Sequence, residues 1–155
     1  MPEVSAVSNA LHTLAAVIWV GGMFFAYQVL RPAAGPLDAP ARLALWNRVL
    51  PKFFIWVWHA VVLLPLTGFW AVFMDFGGFA NAPLYIHVMT GLGLIMIAIY
   101  LYLVFRPYPA FRRAADASDW PAAGEHLSAV RRIVGINLVL GLITVAVGSS
   151  GRFWF

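Results

Sequence analysis

Apolar residues dominate four stretches of the chain, and each stretch is about as long as a membrane span. A helix needs roughly 20 mostly apolar residues to cross the hydrocarbon core of a bilayer. The pattern predicts such helices over residues 10–30, 53–74, 84–105 and 133–150. We therefore expect an all-α fold, an integral membrane four-helix bundle, with a single transmembrane domain over residues 1–155.

Prolines and charges interrupt the pattern between these helices. Proline lacks a backbone donor and usually marks the start or the end of a helix. The prolines that we interpret in this way are Pro32, Pro36, Pro51, Pro107 and Pro109. Residues 110–130 mix charged and apolar positions, which predicts a short amphipathic helix at the membrane surface. His126 lies among those charges and is interpreted as a solvated side chain.

Composition narrows the range of functions. The chain is 63% hydrophobic and 10% charged, with a mean hydropathy of +0.85, and a soluble domain of this length could not bury so much apolar surface. The chain has no cysteine, which excludes disulfides, thiolate catalysis and cysteine-ligated metal sites. Ten basic and six acidic residues do not indicate nucleic-acid binding, so we interpret the bases as topology signals.

Nine of the ten bases fall in links that lie on one side of the membrane. They are Arg31, Arg42, Arg48, Lys52, Arg106, Arg112, Arg113, Arg131 and Arg132. By the positive-inside rule this side is cytoplasmic, and both termini are periplasmic. The expected location is the bacterial inner membrane, and the first residues are not expected to form a removable signal peptide.

Two histidines lie in different predicted helices at the same depth. His12 and His87 are each about one turn from the periplasmic face, given a helical rise of ~1.5 Å per residue. Ionisable residues inside a membrane are functional by default, so we expect this pair to ligate one metal centre, with haem b as the first candidate. Ala16 and Gly91, each at i+4 from a histidine, are small enough for a flat porphyrin to lie against both helices.

Two more residues fit a haem pocket. Tyr85 would wall the pocket, and Arg152, the one periplasmic base, would meet the propionates. Two axial imidazoles leave no open coordination position, which favours electron transfer between membrane quinol or quinone and a periplasmic redox protein. Lipid is the other expected partner, and a homo-oligomer is considered as well. The alternative role of each histidine is a hydrogen bond to a neighbouring helix.

A second cluster is predicted nearer the cytoplasmic side. His59, Tyr100 and Asn137 fall at similar depth on three helices. They would form either a quinone pocket or second haem site, or a set of hydrogen bonds that joins the helices. Asn137 also starts a helical stripe of small and polar residues, with Gly141, Thr144 and Gly148, which we expect to face the bundle interior.

Copper is the alternative metal. Thioether and imidazole ligands suit Cu(I), and Met74 and Met89 lie at the same end of the chain's helices as the two histidines. Met89 is only two residues from His87, so on a helix the two side chains point in different directions. Met23 and Met96 are deeper and are interpreted as packing residues. This set ranks below haem.

Four stretches of the chain resemble the CopD family of bacterial membrane proteins, which is named for copper resistance. They read "LHTLAAVIWVGGMFFAYQVLRP", "LWNRVLPKFFIWVW", "TGFW" and "RRIVGINLVLGLITVAVGSSGR". The resemblance implies a minimal, free-standing member of that family, without the longer multi-helix body of copper-resistance proteins. It makes copper transport or delivery the alternative to electron transfer, and a structural subunit of a larger membrane complex is the third reading.

The layout is also similar to the HemJ family of small membrane protoporphyrinogen oxidases, which are thought to bind haem b. The "LH" of the first helix and the "YIHVM" of the third correspond to the motifs that carry the two histidines in that family. The resemblance implies His12 and His87 as haem ligands. The lysine essential in that family falls on Met89, so protoporphyrinogen oxidation is disfavoured.

Overall fold

Helices account for nearly all of the chain that the structure describes. The structure is a computed structural model, and it describes residues 2–154. The five α-helices are α1 (Pro2–Phe24), α2 (Ala39–Trp70), α3 (Leu84–Phe105), α4 (Pro107–Asp116) and α5 (Trp120–Ser150). A π-helical turn, Phe25–Leu30, and a short α-helical turn, Arg31–Ala33, continue α1, and the π-helical turn Ala71–Asp75 continues α2.

Four of the helical stretches are long and apolar enough to cross a membrane. They are Glu3–Ala33, Ala39–Asp75, Leu84–Asp116 and Trp120–Phe153. Each carries large apolar side chains that are more than half exposed, such as Val17, Leu66, Leu84 and Ile136. Such surfaces are stable against lipid and unstable against water. The predicted all-α, four-helix membrane protein is therefore confirmed, and lipid contact follows from it.

Several helix boundaries differ from the prediction, and the first helix already begins at Pro2 and not at residue 10. The second spanning helix begins at Ala39, so Pro51 lies inside it and does not mark its start. Leu50 and Phe54 beside this proline are buried, and their packing offsets the lost backbone hydrogen bond. The expectation of one amphipathic helix over residues 110–130 is also wrong. The chain reverses at Ser118, which has a φ of 57°, and α5 then runs unbroken from Trp120 into the membrane.

Helix α5 organises the bundle. It contacts α1, α2, α3 and α4, while α1 packs along α2. We call the end of the bundle that carries the nine bases named above the basic end, and the end formed by residues 2–5, 76–84 and 151–154 the distal end. At the basic end α4 folds back on the first turns of α5, and Phe111 and Leu127 there are completely buried.

The small and polar stripe on α5 faces the interior, as predicted. Asn137 is buried and donates from Nδ2 to the Met96 carbonyl, 3.3 Å away. A Cβ on Gly141 would lie 2.9 Å from Val20 Cγ2 and 3.1 Å from Met96 Cε. Glycine therefore lets both α1 and α3 approach α5 closely at this level. Further along, a Cβ on Gly148 would lie 2.8 Å from Met89 Cε. The stripe is thus the seam along which α3 packs on α5.

Candidate metal-binding site

His12 is held between two helices at the distal end. Its ring lies half-buried between α1 and α2, with Nδ1 2.8 Å from the hydroxyl oxygen of Thr67. Thr67 is 8% exposed, and its hydroxyl lies 2.6 Å from the Leu63 carbonyl oxygen. Since that carbonyl can only accept, the threonine donates to it and must accept from the histidine. We therefore assign the His12 proton to Nδ1.

This assignment fixes what His12 can bind. A neutral imidazole protonated on Nδ1 has its lone pair on Nε2. The same arrangement occurs in metal sites, where the ligating histidine donates its other ring N–H to a neighbouring acceptor, which holds the ring and the tautomer. The ring packs on Gly68, since a Cβ there would lie 3.4 Å from His12 Cε1. His12 is therefore a preorganised, uncharged nitrogen donor.

Methionine thioethers lie at the same depth in the bundle as His12 and also further from the distal end. Val20 and Gly141 meet where α1 crosses α5. Since these helices run antiparallel, His12 is eight residues, about 12 Å, toward the distal end from that contact, and Gly148 is seven residues, about 10 Å, in the same direction. Met89, which packs on Gly148, therefore shares the level of His12.

Met96 lies two turns deeper, at the Val20 contact. It is 3% exposed, and the Thr144 hydroxyl lies 3.7 Å from its sulfur. Met23 is also buried on α1, whereas Met74 is 65% exposed. The interior of the distal half therefore holds soft sulfur donors, which suit Cu(I) together with an imidazole.

His87 is on a different surface. Its side chain is exposed, its Nε2 lies 3.2 Å from the Ala82 carbonyl, and its ring lies 5.7 Å from that of Phe79. Since the carbonyl accepts, Nε2 carries the proton. His12 contacts α2 and His87 contacts the link before α3, so the contacts that the structure gives do not join the two rings.

The other residues of the predicted haem pocket lie on α1, on α3 and beside the turn that follows α5. Ala16 is half-buried on α1, while Gly91 is exposed on α3 with nothing within 4 Å of its Cβ position. The Tyr85 ring packs on Gly151. Arg152 is exposed, and its guanidinium lies 4.7 Å above the Phe153 ring.

The predicted inner cluster is divided among three separate hydrogen bonds. His59 is exposed on α2, and its Nδ1 lies 2.8 Å from the Ile55 carbonyl of the same helix. The buried Tyr100 donates to the Phe54 carbonyl at 3.3 Å, and Asn137 donates to Met96 as described above. Each side chain thus bonds a backbone carbonyl, and these bonds do not connect the three side chains to one another.

Sequence reasoning missed Thr67. It begins "TGFW", one of the stretches that carry the family resemblance, but the pattern did not predict that it bonds His12. A usable signal was present, because Thr67 is the one hydroxyl side chain in the apolar part of α2 from residue 53 to 70. A polar group in that position needs a partner, and depth counting puts it near His12.

Metal sites made of carboxylates and several histidines are absent from the described part of the chain. Within residues 2–154 no group of three or more His, Cys, Asp or Glu side chains is arranged to hold a metal ion.

Comparison with protein families gives one match. A family model described as CopD, copper resistance protein D, matches residues 47–150, which is about two thirds of the chain. The matched range includes Thr67, Met89, Met96 and the α5 stripe, while His12 lies before it. No curated protein and no solved structure matches the chain.

Proposed function

We propose, from the premise that this chain belongs to the CopD family of copper resistance proteins, that it is a copper-handling membrane protein that accepts Cu(I) at its distal end. The observation that carries the proposal is the His12–Thr67 hydrogen bond, which leaves Nε2 as the free donor atom. Imidazole nitrogen and thioether sulfur together prefer Cu(I) among the common cations.

The methionines supply the next ligands. Met89 lies at the level of His12 and Met96 about 10 Å deeper along α3, so Cu(I) bound first by His12 would pass to thioethers in the bundle interior. Exchange between neutral soft ligands allows the ion to move without carboxylates, which carry a high cost inside a membrane. The interior of the bundle fits this requirement, because its buried polar side chains are the uncharged Thr67 and Asn137.

The distribution of charge supports an orientation. Nine of the ten bases are at the basic end, and the positive-inside rule assigns that end to the cytoplasm. In the inner membrane of a bacterium, His12 would then receive copper from the periplasm. Both ends of the described chain would face the same compartment.

Haem b ligated by His12 and His87 stays a prediction with less support. The comparisons point to copper, and His87 is exposed on the other side of α3 from Met89. Electron transfer with a quinone or a redox protein likewise has no observation in its favour beyond the resemblance noted from the sequence.

Copper uptake by proteoliposomes tests the proposal. Vesicles would hold a chromophoric Cu(I) chelator, and copper would be added outside with ascorbate to keep it reduced. We expect wild-type protein to accelerate formation of the coloured chelate, His12→Ala to reduce the rate by about tenfold or more, and His126→Ala to behave as wild type. Equal rates for wild-type vesicles and protein-free vesicles would contradict the proposal.

A further inference from the structure

The basic end contains a cleft lined by three arginines from three different helical segments. Arg31 begins the last turn of the extension of α1, Arg42 is in the first turn of α2, and Arg131 is on α5. The cleft has a volume of about 500 Å³, and its other lining residues include Tyr27 and Gln28. Among the described residues, no carboxylate lines it. Three like charges therefore face one space without a counter-ion from the protein, which is costly unless an anion binds there.

Two buried donors beside the cleft lack acceptors. A small pocket of about 20 Å³ lies beside the cleft and shares Tyr27, Arg31 and Arg131 with it. Trp46 lines this pocket, is only 4% exposed, and has no hydrogen-bond partner for its Nε1. The Nε of Arg131 is also buried without a partner. A buried donor without an acceptor is destabilising, so the site is organised for a ligand that accepts hydrogen bonds.

The aromatic residues hold the arginines in place. The Arg131 guanidinium lies 5.6 Å from the Trp46 ring centroid, and that of Arg31 lies 4.8 Å from the Tyr27 ring. Arg42 donates to the Leu37 carbonyl at 2.9 Å. Arginines held in this way lose less conformational freedom on binding, and the planar guanidinium matches a tetrahedral oxyanion with two parallel hydrogen bonds.

We propose that the cleft between Arg31, Arg42 and Arg131 is a binding site for a phosphate group. Two sources share this chemistry, an anionic phospholipid headgroup and a soluble phosphate. The cleft lies where the membrane helices end in a cluster of bases, and the small pocket beside it is lined by the apolar side chains of Leu50, Phe53 and Val134. Basic pockets between spanning helices at this level typically hold anionic lipid headgroups.

Lipid retention and thermal stability of detergent-purified protein test the site. Phosphatidylglycerol or cardiolipin is expected to remain bound in native mass spectrometry and to raise the unfolding temperature by about 5 °C at saturating lipid. Phosphatidylcholine is expected to do neither. Arg131→Gln should abolish both effects, while Arg132→Gln, which removes an exposed charge from the next position of the same helix, should keep them.

Two further measurements identify the source of the phosphate group and cover the case of a variant that does not fold. Stabilisation by millimolar inorganic phosphate that Arg131→Gln abolishes would support the site and assign a soluble phosphate to it. If Arg131→Gln does not fold, Arg42→Gln takes its place, because Arg42 bonds only backbone carbonyls in the structure. Equal stabilisation of wild type, Arg131→Gln and Arg132→Gln by anionic lipid would overturn the proposal, since it would show an effect of total charge. No stabilisation by any phosphate compound would overturn it as well.

Discussion

The two ends of the bundle differ in which hydrogen-bonding atom is left unused. At the distal end, His12 donates to Thr67 and Thr67 donates to Leu63, so the free atom is the lone pair of His12 Nε2. Beside the arginine cleft at the basic end, the free atoms are the N–H groups of Trp46 Nε1 and Arg131 Nε. A lone pair attracts a cation, and unused donors attract an anion.

The comparison suggests how a bundle with few charges would separate the two proposed binding functions. Six acids are too few to neutralise the ten bases, and none is buried in the distal half among the described residues. Selectivity then depends on which atoms the hydrogen-bond network leaves free, and not on net charge alone. Substitutions at one end should leave the other end unchanged, and the predictions below use that independence.

Among the residues that support His12, the largest effect is expected from Thr67→Val. The change keeps the shape of the side chain but removes the acceptor that fixes the His12 tautomer. Loss of such a supporting hydrogen bond typically lowers metal affinity by about 10- to 100-fold. A chelator competition titration with Cu(I) measures it, and Thr67→Ser should restore most of the affinity. If Thr67→Val binds Cu(I) as wild type does, the hydrogen bond does not organise the site.

Met89→Leu should have a smaller effect. Leucine fills a similar volume against Gly148 but has no sulfur, so the packing is kept. We expect Cu(I) affinity to fall by about tenfold, which corresponds to roughly 1.4 kcal/mol. Met74→Leu is the matched control, because Met74 is exposed. Equal affinities for the two variants would remove Met89 from the site.

The sequence was sufficient for the fold but only partly sufficient for the site. Span length and proline placement predicted four apolar helices. The start of α2 was wrongly predicted at Pro51, because the packing of Leu50 and Phe54 stabilises the helix on both sides of this proline. Depth counting predicted a shared level for His12 and His87 in two different helices. It could not tell which way each ring faces, since that depends on how each helix is rotated about its axis in the bundle.

The proposed copper ligands show the same limit of prediction from sequence. The spacing of His87 and Met89 predicted that they point apart, and in the structure Met89 packs on α5 while His87 is exposed. Packing residues and ligands cannot be separated by pattern for methionine, because one flexible apolar side chain serves both roles. The tautomer of His12 depends on the Leu63 carbonyl, and no side-chain pattern encodes a backbone contact.

Gly148→Ala should shift Cu(I) affinity only slightly. The new methyl group would meet the end of the Met89 side chain, 2.8 Å from Cε and 3.0 Å from the sulfur. Because that end is flexible, the thioether would move by a small distance, and we expect an affinity change of about two- to threefold. The control is Gly93→Ala, whose Cβ position has no neighbour within 4 Å. A loss as large as that of Met89→Leu would show that the sulfur position is more constrained than the structure suggests.

His87→Ala is expected to have no effect on Cu(I) affinity, and Arg131→Gln none either. His87 faces outward at the distal end, and Arg131 belongs to the other end of the bundle. Both variants would be titrated beside wild type in the same detergent. A marked loss in His87→Ala would favour the paired-histidine centre expected from the sequence, and a loss in Arg131→Gln would show that the two ends are coupled.

The most direct test of the account is a Cu(I) titration of the purified protein in competition with a chromophoric chelator, on wild type, His12→Ala and His126→Ala. The account predicts one tightly bound Cu(I) per chain in wild type and His126→Ala, and an affinity lower by about 100-fold or more, roughly 2.7 kcal/mol, in His12→Ala. Equal affinity and stoichiometry in wild type and His12→Ala would contradict the assignment of His12 as the copper ligand.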